Sequence, residues 1–145
     1  MYNTILDPLD GSELEGAIMP DVETVAAGPK AEIILLQVLP VTAVFPETAA
    51  KERQEAEEYL TGVERGLLEK GAKARYTIRH GSDPAAEIVD YADVNNVDVI
   101  AMSTHGRSGV SRWVFGGVAS KVLRGTTKPI LLIRSPGAPV SQSQE

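Results

Sequence analysis

The feature that most constrains the fold is an alternation of two apolar patterns along the chain. Five short segments rich in Ile, Leu and Val are typical of buried strands, and they cover residues 4–9, 32–39, 74–79, 97–103 and 129–134. Between them, apolar residues recur at helical spacing. These residues are Leu14, Ala17, Ile18, Val22 and Val25; Ala56, Tyr59, Leu60, Val63 and Leu67; Ala85, Ile88, Val89 and Ala92; Ala119, Val122 and Leu123. Strict alternation predicts an α/β fold: a five-stranded, mainly parallel, doubly wound sheet with helices on both faces.

Helix-boundary signals agree with this assignment. Ser12 followed by Glu15 fits a capping box, and Asp83-Pro84 fits an N-cap with proline at the first helical position. Gly71 and Gly125 fit helix stops. Residues 40–50 are expected to form a loop, either a lid over one end of the sheet or a plain connection.

The size and composition predict one soluble domain. The chain has 145 residues, of which 43% are hydrophobic and 23% charged. We expect a single domain over residues 1–135 and a disordered tail over residues 136–145, where the sequence is small and polar.

Charge and residue usage exclude several function classes. Acidic residues outnumber basic ones, 20 to 14, which disfavours nucleic acid as a partner. The absence of cysteine removes disulfides and thiolate metal sites, and with only two histidines no metal site is expected. The start of the chain lacks a signal-peptide pattern, and no apolar run is long enough to cross a membrane. These features favour a cytoplasmic location.

Two loops lie where ligands bind in doubly wound sheets, outside the carboxyl ends of strands at the reversal of strand order. The first is 8–12, in which Asp10 could accept a hydrogen bond from a ribose hydroxyl. The alternative is that Asp10 and Ser12 only organise a turn and a helix cap.

The second loop, over residues 102–118, is rich in glycine and precedes a helix. Gly116 and Gly117 stand where the first amides of that helix point outward, a geometry that binds phosphate. The alternative is a surface loop with glycine at its turns. The sequence is neither a Walker A loop nor a dinucleotide fingerprint.

These two loops, together with the start and the end of the chain, resemble the universal stress protein family. The resemblance rests on residues 2–12, 103–109 and 129–134 and spans almost the full length. It implies the strand order 3-2-1-4-5 of Rossmann-like and flavodoxin-like sheets. It also implies a homodimer that pairs the final strand, near Pro129 and Arg134, with its symmetry mate.

Nucleotide-binding members of that family carry a G-x2-G-x9-G-(S/T) motif. Its fixed positions fall here on Ser103, Gly106, Gly116 and Gly117, so that two of the four match. Ser103 adds a side chain where close approach is expected, and Gly117 lacks the hydroxyl that other members offer to the phosphates. One lost hydrogen bond to a charged group weakens binding roughly tenfold or more.

The resemblance implies an adenine nucleotide (ATP, ADP or AMP) as ligand, with Mg²⁺ accompanying ATP. It assigns the ribose and base to one set of residues and the phosphates to another. The implied nucleotide-binding residues are Pro8, Leu9, Asp10, Val38, Met102, Ser103, His105, Gly106, Arg107, Gly109, Gly116, Gly117 and Val118.

Three functions follow from these patterns. The first is a nucleotide-binding regulatory dimer of the stress response, and the second is a nucleotide-free dimeric interaction module that has lost the site. The third, an enzyme, ranks last, because no positioned base, phosphate-binding lysine or carboxylate pair stands out; at most weak ATP hydrolysis is expected. Asp7 is unusual in a buried strand, and it lies either at an exposed edge or in the pocket with a raised pKa.

Overall fold

The protein is an α/β sandwich in a computed structural model that describes residues 2–11, 18–26, 30–41, 45–103 and 117–134. The strands are β1 (Thr4–Leu9), β2 (Glu32–Leu39), β3 (Lys73–His80), β4 (Val99–Ser103) and β5 (Ile130–Ile133). The helices are α1 (Met19–Val25), α2 (Pro46–Glu69), α3 (Pro84–Val94) and α4 (Gly117–Gly125). All five predicted strands are confirmed, with ends shifted by up to two residues.

The five strands form one parallel sheet in the order β3-β2-β1-β4-β5, which confirms the predicted order. The chain adds β2 and β3 on one side of β1 and then crosses to place β4 and β5 on the other. Strand order therefore reverses between β1 and β4.

Two apolar layers cover the sheet, because side chains along each strand alternate between its faces. Face A, defined by Ile5, Leu9, Ile33 and Leu35, packs under α1 and α2. Face B, which includes Leu6, Ile34, Leu36, Ile100 and Met102, packs under α3 and α4. Of the last predicted helical stripe, Ala119 and Val122 are buried, but Leu123 is 44% exposed.

Predicted boundary signals are confirmed at three helices. The Asp83 carboxylate accepts a hydrogen bond from the Ala86 amide at 3.3 Å, and Pro84 occupies the first turn of α3. Gly71 follows α2 with a φ of 87°, a left-handed conformation that glycine adopts without a steric penalty. Gly125 is the last residue of α4.

The expectation of a loop over residues 40–50 is wrong in its second half, because α2 begins at Pro46. Proline is suited to the first turn of a helix, since the N–H that it lacks has no helical partner there. Glu47 adds a favourable charge in that first turn. The capping box at Ser12, the tail from Pro136 onward and the middle of the 40–45 connection lie outside the described residues, so those predictions stay untested.

Candidate functional site

The carboxyl end of the sheet opens between β1 and β4. The β1–β2 ladder continues to the pair Leu9 and Gln37, whereas the β1–β4 ladder consists of Ile5 with Val99 and Leu6 with Ile100. Pro8 explains part of this difference, because a proline in a central strand has no N–H to donate to a neighbouring strand. The result is a split between two central strands at the point where strand order reverses, which is the usual ligand position in open α/β sheets.

The β1 side of this split carries the first predicted loop. Pro8 and Leu9 are buried, and Asp10 directly after them is half-buried. Gly11 has a φ of 87°, so the chain turns sharply away from the sheet at this point. Both predicted roles for Asp10, ligand acceptor and turn organiser, are compatible with this position.

The β4 side supplies a buried floor. Met102 and Ser103 are the last residues of β4 and are each 2% exposed. Val38 lies near the end of β2, half-buried on face B. The structure therefore brings the ends of β1, β2 and β4 to one edge, as the sequence predicts.

Gly117 and Val118 begin α4, and both are exposed. A Cβ atom added to Gly117 meets no heavy atom of the described residues within 4 Å. The position therefore has room for a side chain, and glycine is not required there by packing. The remaining predicted site residues, His105, Gly106, Arg107, Gly109 and Gly116, lie outside the described residues.

Two polar side chains of the central strands are buried: Gln37, which the sequence analysis did not single out, and Asp7, for which it left two positions open. Gln37 precedes Val38 in β2 and is 6% exposed, and Asp7 is fully buried in β1. Burial raises the pKa of the Asp7 carboxyl well above its usual value. This observation decides against the exposed-edge alternative for Asp7. The signal for Gln37 was present in the sequence as the one polar residue inside the apolar run 33–39.

The described ranges contain neither a metal-binding cluster nor a membrane-spanning helix. No group of three or more His, Cys, Asp or Glu side chains there is placed to hold a metal ion. No helix in those ranges is long and apolar enough to cross a membrane.

Comparison with known sequences identifies relatives along nearly the whole chain. The family model described as "Universal stress protein family" matches residues 1–134. A universal stress protein from Methanothermobacter thermautotrophicus is 34% identical, over 93% of this chain and 97% of its own length. Universal stress protein MJ0531 from Methanocaldococcus jannaschii is 28% identical, over 94% of this chain and 84% of its own length.

Solved structures agree with these matches. The structure of protein MJ0577 from Methanocaldococcus jannaschii has a TM-score of 0.76 at 29% identity and covers 94% of this chain and 98% of its own. A universal stress protein from Archaeoglobus fulgidus in complex with dAMP has a TM-score of 0.73 at 19% identity, with coverage of 92% and 98%. One from Arabidopsis thaliana with AMP bound has a TM-score of 0.68 at 16% identity, with 92% of each chain covered.

Proposed function

Because the chain belongs to the universal stress protein family, we propose that it binds an adenine nucleotide at the split between β1 and β4 and acts as a regulator of stress adaptation. The observation that carries this proposal is the early end of the β1–β4 ladder, at Leu6 and Ile100, while β1 remains paired with β2 as far as Leu9. An open end between central strands gives a planar ligand access to both neighbouring loops.

The described residues suit the nucleoside half of such a ligand. Leu9 and Met102 are apolar residues at the ends of β1 and β4, packed on faces A and B, and Asp10 places a carboxylate directly after β1. Val38 lies near the end of β2, where its backbone groups would face the edge of the base. Two structural neighbours hold dAMP and AMP, which supports the same ligand class for this chain.

The phosphate half of the proposal rests on the start of α4. The first amides of a helix have no partner within the helix and attract anions. Gly117 is exposed at this position and offers its own N–H, but no hydroxyl. We therefore expect the mono- and diphosphate to bind at least as well as the triphosphate, and Mg²⁺ to enter only with ATP.

The substitution Gly117→Ser tests the proposed phosphate site at the start of α4 directly. Since a Cβ at Gly117 meets nothing within 4 Å in the described part of the chain, the serine fits without displacing a neighbour there. The added hydroxyl should donate to a phosphate oxygen and tighten ATP binding by roughly tenfold. Isothermal titration calorimetry with ATP, ADP and AMP measures the change.

Gly125→Ser is the matched control, at the opposite end of the same helix. A Cβ at Gly125 makes an ordinary contact of 3.5 Å with Val89, so this variant adds a hydroxyl far from the proposed phosphates. It should leave nucleotide affinity unchanged. Equal ATP affinities for the wild type and Gly117→Ser would contradict the phosphate assignment.

A second candidate is the nucleotide-free interaction module, and two positions favour it. Ser103 places a buried side chain where the family motif has glycine, and Gly117 lacks the motif hydroxyl. Mass spectrometry of denatured, freshly purified protein separates the candidates. Adenylate in the sample supports the first, whereas its absence, together with no calorimetric binding at millimolar nucleotide, supports the second.

The proposal includes three further expectations. The protein acts through ligand-dependent changes in its dimer surface rather than through catalytic turnover, with at most weak ATP hydrolysis. It forms a homodimer through the edge of β5, and it resides in the cytoplasm. The position of β5 as the last strand of the described sheet supports the dimer, because an apolar edge strand gains backbone hydrogen bonds when a second copy pairs with it.

A further inference from the structure

Among the described residues, Asp7 and Gln37 are unusual because they are buried polar groups without partners. The buried polar or charged side chains in this part of the chain are Asp7, Gln37 and Ser103, at 0%, 6% and 2% exposure. Both carboxylate oxygens of Asp7 and the Oε1 atom of Gln37 lack a hydrogen-bond partner there. An unsatisfied buried polar atom is costly, so such a pair requires an explanation.

The register places these two side chains on the same face of the sheet. Asp7 alternates with Leu6 and so shares face A with Ile5 and Leu9, and Gln37 shares that face with Leu35. Asp7 pairs with Leu35 and Leu9 with Gln37, so Asp7 and Gln37 are diagonal neighbours. Strand spacing and rise put their Cβ atoms about 8 Å apart, within the combined reach of the two side chains and one hydrogen bond.

The chemistry of the three atoms restricts what can satisfy them. A carboxylate oxygen and an amide oxygen are both acceptors, so an ionised Asp7 cannot bond to Gln37 Oε1. A protonated carboxyl is also a donor. One proton on Asp7 therefore turns two unsatisfied acceptors into a donor–acceptor pair and removes a buried charge.

We propose that Asp7 is a proton-binding site: a neutral carboxylic acid whose hydroxyl donates a hydrogen bond to Gln37 Oε1. The pair lies on face A, toward the carboxyl end of the sheet where the nucleotide is proposed to bind. Loss of this proton to solvent leaves a carboxylate buried within face A. The charge weakens packing at the ends of β1 and β2 and repels the anionic phosphates of a ligand. This last consequence rests on the proposed function.

Among the described residues, no donor is hydrogen-bonded to either Asp7 carboxyl oxygen. Of the titratable groups on the elements that cover face A, Glu23 of α1 is bound to Lys70 at 3.2 Å. Tyr59 of α2 and Tyr76 of β3 pack against the apolar cluster. Burial is the cause of the raised pKa of Asp7, with no contribution from a charged neighbour in this part of the chain. Asp98, at the amino end of the sheet, differs, because its carboxylate accepts from the Asn3 and Thr4 amides.

Spectroscopy of the carboxyl group tests the protonation state directly. Carbon-13 NMR of aspartate-labelled protein, with Asp7 assigned by its loss in Asp7→Asn, should show that Asp7 stays neutral at pH values where the exposed aspartates have ionised. The opposing arrangement is an ionised Asp7 that accepts from the amide nitrogen of Gln37. An Asp7 carboxylate signal that appears together with those of the exposed aspartates would show an ionised Asp7 and overturn the proposal.

Stability against pH provides an independent test. The folded pKa is raised, so the folded protein holds the proton more tightly than the unfolded chain. The folding equilibrium constant should fall by up to about tenfold per pH unit as pH rises from about 4 to the folded pKa, and Asp7 should cause no further change above it. Asp7→Asn keeps a donor to Gln37 without a charge and should remove this slope. Asp93→Asn, which removes an exposed carboxylate, should retain it. Identical slopes in the wild type and Asp7→Asn would count against the proposal.

The pH dependence of nucleotide affinity tests whether the proton on Asp7 affects the proposed nucleotide site. The dissociation constant for AMP should rise with pH in the wild type relative to Asp7→Asn, since the comparison cancels the titration of AMP itself. Parallel curves would refute the coupling. If AMP does not bind at any pH, the proposed function fails, while the NMR result still decides the protonation of Asp7.

Discussion

At the scale of single residues, we expect glycine to stabilise the fold at position 71, after α2, and to destabilise it at position 62, inside α2. Gly71 has a φ of 87°, a conformation that costs other residues roughly 1–2 kcal/mol. Gly62 lies inside α2 with open space around its Cβ position, where alanine is preferred over glycine by about 1 kcal/mol. Gly71→Ala should therefore lower the free energy of unfolding, and Gly62→Ala should raise it. Urea denaturation followed by circular dichroism measures both; a shift of the same sign in the two variants would contradict this account.

At the scale of elements, α3 is attached to β3 at several points. Its N-terminus is capped by Asp83, and along its length Glu87 and Asp90 bind Arg79 of β3 at 3.4 and 2.7 Å. The Arg79 guanidinium also lies 5.0 Å from the centre of the Tyr91 ring. These contacts hold the helix on face B beside the edge strand.

The cap is the contact at this helix that a single substitution isolates. Asp83→Ala removes the acceptor for the Ala86 amide and should cost about 1 kcal/mol of unfolding free energy. Ser82→Ala, at the exposed neighbouring position, should change stability by less than about 0.5 kcal/mol. Chemical denaturation of both variants provides the measurement, and equal losses would show that the cap contributes nothing specific.

At the scale of the whole molecule, the proposed dimer depends on the outward-facing backbone groups of β5. The Ile100 amide donates to the Pro129 carbonyl, and Ile100 pairs with Ile130. In this parallel register the Leu131 backbone faces β4, whereas the backbone groups of Leu132 face away from the sheet. Leu132→Pro should therefore remove an outward N–H without breaking the β4–β5 ladder, and should convert a dimer to a monomer. Light scattering after size-exclusion chromatography measures the mass.

Leu132→Ala is the control for this test, because it shortens the side chain and keeps the N–H. It should remain dimeric. A monomeric wild type, or a proline variant that stays dimeric, would exclude pairing through this edge.

The family resemblance implied the strand order, whereas the sequence alone determined the order of elements and the edge at which ligands would bind. Those features depend on local signals: the apolar period, the Asp83-Pro84 cap and the glycine at position 71. Residues 46–50 were missed as helix because Pro46 gives the same local signal at a turn and at a first helical turn. Only the tertiary structure decided that the β1–β4 ladder ends early and that Asp7 and Gln37 share one buried face. Register and burial depend on which strands and helices meet, and a one-dimensional pattern does not contain those contacts.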